Sequence, residues 1–322
     1  MIISASRRTD IPAHYAQWLG NRLRVGYVLV RNPYNFRQVS RVSLDPSVVD
    51  CLVFWTKNPA PLLPLLDEIE QLGHRFYFQF TLTPYGAELE QALPDKQHLV
   101  ALFQTLARRV GPERVIWRYD PILFTPACTP ASHVASFASL ASQLGGFTRR
   151  CTISLLSLYA KCKTNLKDVS LVNVPEDAIM ASVARMQTIA REQGIQLDAC
   201  ADTFLQTRCG LPAARCIDDQ LIASLLDVPV QLPRDAGQRP ACCCCASIDI
   251  GAYDTCANGC RYCYANTSAM AVVRNQHHHD PASPLLSGHL TVEETVTVKT
   301  MHSARIPQQS LLFSSSQERL SR

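Results

Sequence analysis

The chain has 322 residues, of which 47% are hydrophobic and 18% charged, and it carries a net charge of +4. These values exclude a disordered chain and are typical of a globular protein with one large or two ordinary domains. The sequence contains no run of about 18 apolar residues, so it predicts no membrane span. The apolar stretch at its start is too short for a signal peptide. We therefore predict a cytoplasmic protein with no membrane partner, whose 14 cysteines are metal ligands or packed thiols rather than disulfides.

Positive charge is concentrated near the start of the chain. Residues 1–44 contain seven arginines and a single aspartate, a net charge of +6. Such a segment predicts a binding site for carboxylate, phosphate or nucleic acid. A solvated, arginine-rich surface explains the same pattern equally well.

Short β-rich runs recur along the chain, and several are separated by segments in which apolar residues repeat with helical spacing. The predicted strands span residues 1–6, 26–33, 51–59, 76–84, 114–121, 151–157, 195–202 and 247–251. Strands that alternate with helices form parallel sheets. If the run "SIDIG" (247–251) pairs beside the first strand, the eight strands close into an α/β fold, a (β/α) barrel of the TIM type. We predict this barrel over residues 1–266 and a tail or appendage over 267–322.

Polar groups follow three of these strands, at the edge where barrel enzymes place their active sites. We assign Lys57, Arg118 and Asp120 as candidate catalytic residues on this ground. A guanidinium there can hold a carboxylate through two hydrogen bonds. A buried Arg118–Asp120 ion pair that only stabilises the barrel rim is the alternative interpretation, and Lys57 has a structural alternative too.

The run "CANGCRYCYAN" places Cys256, Cys260 and Cys263 within eight positions. Thiolates are ligands for zinc and for iron–sulfur clusters. A structural zinc ion or an electron-transfer cluster takes four protein ligands. Three cysteines from one loop leave an iron open to a substrate or cofactor, which favours a 4Fe–4S cluster. The alternative is a zinc ion whose fourth ligand comes from the run "CCCC" (242–245).

The spacing of the three cysteines, with Tyr262 before the third, resembles that of the radical S-adenosylmethionine (SAM) enzymes. Longer motifs resemble one bacterial family, a domain of unknown function whose C-terminal cysteines are similar to the N-terminal cluster of radical SAM proteins. The resemblance covers about residues 1–290 and rests on "SASRRTDIPAHY", "RNPYN", "VFWTKNP", "FQFTLTPYG", "WRYDPIL", "SIDIGAYDTC" and "YCYAN". "FWTKNP" is also remotely similar to spore photoproduct lyase.

The resemblance implies a radical SAM enzyme of unknown substrate, in which a reduced 4Fe–4S cluster cleaves SAM to a 5′-deoxyadenosyl radical. It further implies a cofactor-binding role for Arg7, Arg8 and Tyr262, and a reducing partner such as a flavodoxin or ferredoxin. Radical SAM barrels carry their cysteines after the first strand, whereas here they follow the last. A circular permutation, with 247–251 as the usual first strand, accounts for this difference.

Other cysteines predict a second metal site. Alternate residues of an extended run point to the same side, so alternate cysteines of "CCCC" can share one site, and the family resemblance implies that these are Cys242 and Cys244. Together with Cys200, Cys209 and Cys216, which lie near predicted strand or loop ends, they could bind a second cluster or a zinc ion. A reduced, partly buried thiol group is the alternative. Two other functions also remain open: a zinc-stabilised nucleic-acid-binding module and an iron–sulfur electron carrier or sensor.

Overall fold

The computed structural model describes residues 1–306. Its strands, β1 to β10 in chain order, are Ile2–Ala5, Tyr27–Asn32, Asn35–Ser43, Cys51–Thr56, Phe76–Thr81, Val115–Ile122, Arg150–Leu155, Gln196–Ala199, Ile248–Asp249 and Thr295–Val298. Its α-helices, α1 to α10, are Ile11–His14, Ala16–Val25, Leu66–Gln71, Lys96–Val110, Pro130–Leu144, Ala160–Asn165, Glu176–Glu192, Thr203–Thr207, Asp219–Leu226 and Ala269–His277. Capping residues begin several helices, as where the Asp95 carboxylate accepts from the backbone of His98 at 2.9 Å.

Seven strands form one parallel sheet in the order β8-β7-β6-β5-β4-β1-β9. The predicted pairing of "SIDIG" with the first strand is confirmed, because Ile3 lies opposite Ile248 and Ser4 opposite Asp249. The predicted α/β class and parallel sheet are confirmed as well. Among residues 1–306, β8 and β9 are the two ends of this order and no pairing joins them.

The two faces of the sheet are covered differently, because neighbouring strand residues point to opposite sides. Phe54, Phe78 and Trp117 pack in the main core with α2, α4, α5 and α7. The other face, which includes Val53 and Tyr77, is covered by the segment 214–245. Four helices therefore flank one side of the sheet, and a cysteine-containing segment that includes α9 covers the other.

The prediction that residues 26–33 form a strand of the main sheet is wrong. After a short turn, β2 pairs with β3 in an antiparallel hairpin, and β10 adds to β3 in a separate three-stranded sheet. A hairpin needs only a short turn, whereas a parallel partner needs a long crossover, so β2 pairs with the strand that follows it directly. We had not predicted β3.

Residues 267–306 contact the first part of the chain. The indole nitrogen of Trp18 donates to the Ser283 carbonyl at 2.9 Å, and Leu285 packs with Leu29 and Val39. Residues 307–322, the remainder of the predicted tail, lie outside the described part. No helix within residues 1–306 has the length and apolar character to span a membrane.

His74 makes stability depend on pH. It is 1% exposed, neither ring nitrogen has a hydrogen-bond partner among residues 1–306, and burial lowers its pKa to about 4. The unfolded chain, with a histidine pKa of about 6.5, binds more protons between these values, so the contribution of His74 to stability falls as pH drops from about 6.5 to about 4, by up to about 3 kcal/mol. Urea unfolding of His74→Leu should lose this slope. The exposed control His98→Leu should keep it, and equal slopes in both variants would contradict the assignment.

Candidate metal centre

The Asp249 carboxylate fixes where the cysteine loop begins. It accepts hydrogen bonds from the Ser4 hydroxyl at 3.2 Å, the Arg7 amide at 2.8 Å and the Gly251 amide at 3.0 Å, and also from the Ser6 hydroxyl. A Cβ atom at Gly251 would lie 2.6 Å from the Cβ of Ser6, so only glycine permits this approach. The chain therefore leaves β9 packed tightly against the end of β1.

The loop then crosses residues that follow β1, β4 and β5. Cys260 forms an antiparallel bridge with Glu90. The Asn258 side-chain amide donates to the Asp10 carboxylate at 3.0 Å, and the backbone of Lys57 donates to the same oxygen at 2.7 Å. These contacts place the loop at the carboxyl-terminal edge of the sheet.

A buried carboxylate, Glu90, anchors the loop. Its Oε1 accepts from Lys57 Nζ at 2.7 Å, from the Thr83 hydroxyl at 2.6 Å and from the Tyr262 hydroxyl, and Oε2 pairs with Lys96. Burial alone raises the pKa of Glu90, but the two lysines outweigh it and hold the pKa at about 2. Lys57 Nζ also donates to the Tyr262 hydroxyl at 2.9 Å. This charged network therefore joins two candidate residues, Lys57 and Tyr262 of the loop.

The three loop thiols are neighbours. Burial raises the pKa values of Cys256, Cys260 and Cys263, and the other loop thiols raise those of the first two further. For Cys260 the pKa reaches about 12, although Lys57 opposes the rise. Within residues 1–306, no three His, Cys, Asp or Glu side chains converge as a ready-made metal site. Binding one metal centre through all three thiols therefore requires their side chains to turn toward a common point.

Cys162, from α6, packs against this loop. Its thiol donates to the Tyr262 carbonyl at 3.1 Å. Burial raises the pKa of Cys162, and the nearby Cys263 thiol raises it further. The structure makes it a candidate fourth ligand from outside the loop.

A second group of thiols lies on the face of the sheet away from the main core. The sulfur atoms of Cys200 and Cys216 are 3.5 Å apart. Cys242 and Cys244 lie in the same buried cluster as Cys216, and the neighbouring Cys244 thiol lowers the pKa of Cys242 to about 7. Cys209, in contrast, packs against the main core. The structure thus brings together four of the five cysteines predicted for a second site.

Arg118 belongs to this second group. Its guanidinium pairs with Asp120, donates to the Cys216 sulfur at 2.9 Å and lies 5.2 Å from the centre of the Trp55 ring. The Arg7 guanidinium lies at the same distance from that ring. Burial lowers the pKa of Arg7, but nearby groups, Cys244 first among them, outweigh burial and raise it. The predicted ion pair between Arg118 and Asp120 is therefore present. The predicted catalytic and cofactor-binding residues are divided between the cysteine loop and the second group of thiols.

Lys57 and Tyr262 lie at the cysteine loop, whereas Arg118 and Asp120 lie at the second thiol group. Arg7 joins the two, because its backbone carbonyl accepts from the Tyr264 hydroxyl of the loop segment at 2.9 Å. Arg8 points elsewhere, with its guanidinium 5.3 Å from the centre of the Tyr253 ring.

Sequence reasoning missed the groups that hold the loop, chiefly Glu90 and Asn258. Glu90 lies in an ordinary polar stretch, "ELEQ", and nothing in its spacing distinguishes it from the exposed Glu88. Asn258 lies inside the cysteine motif, where its Oδ1 also contacts His14 Nε2 at 2.8 Å. Only the position within the motif could have drawn attention to it.

The architecture and the cysteine loop define an α/β protein with a thiol-rich site at the edge of a parallel sheet. The chain belongs to the family described as "Domain of unknown function (DUF1848)", whose model matches residues 2–265. That span contains the whole parallel sheet and ends just after Cys263, and it confirms the predicted family. A comparison with curated proteins finds no match.

Replacing Glu90 tests the anchor. Glu90→Gln should destabilise the protein by about 3 to 5 kcal/mol, because it leaves the buried Lys57 ammonium without its counter-charge. The exposed control Glu88→Gln should change stability by less than about 0.5 kcal/mol. Urea unfolding near neutral pH measures both, and equally small changes would show that Glu90 does not anchor the loop.

Proposed function

We propose that this protein is a radical SAM enzyme whose 4Fe–4S cluster is held by Cys256, Cys260 and Cys263. The observation that carries the proposal is the separation of the two thiol groups. The closed zinc site would need a fourth ligand from residues 242–245, but Cys242 and Cys244 pack in one buried cluster with Cys216, whereas Cys260 packs in another. The loop is thereby left with three cysteines of its own, the number that leaves one iron open.

The strand order supports the barrel interpretation of this family. From β9 through β1 and β4 to β8, every strand is parallel to its neighbour, and the order advances without reversal. Doubly wound sheets reverse their order at a switch point, whereas barrels advance in one direction. We therefore infer an incomplete, circularly permuted TIM-type barrel in which β9 takes the place of the usual first strand.

When bound and reduced, the cluster would supply the electron that cleaves SAM and yields a 5′-deoxyadenosyl radical. The residues of this chain supply positioning and charge. Lys57 lowers the free energy of the Cys260 thiolate, since its ammonium opposes the rise of that pKa. Glu90 fixes both Lys57 and the hydroxyl of Tyr262. The electron donor would be a flavodoxin or ferredoxin.

A closed iron–sulfur cluster of an electron carrier or sensor is the second candidate. It is favoured by the contact of Cys162 with the loop at Tyr262, because a fourth thiolate would complete the coordination of the cluster. The zinc-stabilised nucleic-acid module is less favoured, since the structure engages its proposed fourth ligands elsewhere.

Anaerobic reconstitution with iron and sulfide tests the enzyme. The protein should bind about four irons, and after reduction it should cleave SAM to 5′-deoxyadenosine. Cys260→Ala should lose cluster and product together while remaining folded, because a chain of this size buries enough apolar surface without a metal. The control Cys209→Ala removes a thiol distant from the loop and should behave like the wild type. A cluster that can be reduced but yields no 5′-deoxyadenosine would contradict the assignment of this protein as an enzyme.

Cys162→Ser separates an open cluster from a closed one. In the enzyme, the variant should keep its iron content and at least about half of its SAM cleavage, because Cys162 is not a ligand. A closed cluster would instead lose iron in this variant, since one of its four thiolates would be missing. Iron and labile sulfide, measured in parallel for wild type and variant, decide between the two.

A further inference from the structure

We propose that a cavity beside the cysteine loop binds a phosphate-bearing organic molecule. The cavity has a volume of about 580 Å³ and is lined by residues 250–255, by the end of β2 and by α10. Cavities that hold small organic ligands measure about 300 to 1,000 Å³. Because residues 250–255 lead directly into Cys256, a ligand here would lie next to the proposed cluster.

Three cations that line this cavity have no acidic partner in the described part of the chain. Arg8, Lys161 and Arg274 all line it, and none of them forms a salt bridge within residues 1–306. The fourth cation, Arg31, is already paired with Glu294. The cavity therefore carries an excess of positive charge that its own acidic residues do not balance.

The acidic residue in the wall does not remove this excess. Asp254 directs its carboxylate to the backbone amide and hydroxyl of Thr267, the latter at 3.1 Å. Within residues 1–306, Lys161 donates only to a backbone carbonyl, that of Ala265 at 3.3 Å. Each of these contacts is local and leaves the charge of the lysine available to a bound anion.

Aromatic rings accompany the cations. Tyr253 lies between two of them, with its ring centre 5.3 Å from the Arg8 guanidinium carbon and 4.8 Å from Lys161 Nζ. Phe36, which is 70% exposed, also lines the cavity. A cation that lies over an aromatic ring is attracted to its π face, so Tyr253 helps to hold both charges beside the cavity.

The arrangement selects phosphate over a single carboxylate. Three separate donors around one space match the several oxygens of a phosphate or diphosphate, and arginine binds phosphate through two parallel hydrogen bonds. The exposed ring of Phe36 offers a surface on which a planar base can stack. A nucleotide combines both features at the right size. That this ligand is the substrate rests on the proposed function, whereas its binding does not.

Calorimetry and thermal shift on the full chain test the site, with pyrophosphate, ADP and adenosine as probes. Pyrophosphate and ADP should bind and raise the melting temperature, and adenosine should bind at least tenfold more weakly than ADP. Arg8→Gln and Arg274→Gln should each weaken ADP binding by about tenfold or more, since a hydrogen bond to a charged group contributes about 1.5 to 3 kcal/mol. Arg191→Gln, an exposed arginine of α7, is the matched control and should bind ADP like the wild type.

Two outcomes would overturn the proposal: no binding of pyrophosphate or ADP, or ADP binding that neither cavity substitution changes. Far-UV circular dichroism of each variant establishes that it is folded. The measurement needs neither iron nor SAM. A protein that binds ADP but fails to cleave SAM would therefore retain this site and lose only the radical chemistry, and the reverse result would leave that chemistry standing.

Discussion

The pairing of β1 with β9 is the constraint on which the rest of the structure depends. It brings residue 248 beside residue 3, and the Asp249 carboxylate then ties the chain to Ser4, Ser6 and Arg7. Three hydroxyl and amide donors on this partly buried carboxylate fix its position closely. The cysteine loop inherits that position, since it begins only seven residues later. A motif near the end of the family match thereby reaches the carboxyl edge of the strands that precede it.

Electrostatics keeps the two thiol groups distinct. Lys57, Lys96 and Glu90 form a charged network beneath the loop, whereas Arg118 and Asp120 form another beside Cys216. Buried charges require partners of opposite charge, and in each network the lysines or the arginine pair with a carboxylate of the same network. Arg7 joins the two, with its guanidinium near Trp55 and its carbonyl bonded to Tyr264. This separation supports assigning different roles to the two cysteine sets of one chain.

Much of the sheet could be predicted from the sequence, because buried strands such as "CLVFWT" and "FYFQFT" are continuous apolar runs between helical segments. The loop with three cysteines could likewise be recognised from the spacing of Cys256, Cys260 and Cys263. The β2–β3 hairpin was not, since "RNPYNF" gives no indication of which sheet its strands join. Glu90 and Cys162 were missed because their importance comes from contacts across about 170 and 100 residues of sequence, made only on folding. Long-range partners of single polar side chains leave no local pattern.

The central claim is that one iron at the Cys256 loop has no protein ligand. Mössbauer spectroscopy of protein reconstituted with ⁵⁷Fe tests this directly, because it resolves the coordination of individual irons. The account predicts that one of about four irons changes its isomer shift when SAM is added, while the others keep theirs. A cluster whose irons are all equivalent, and whose spectrum SAM leaves unchanged, would contradict it.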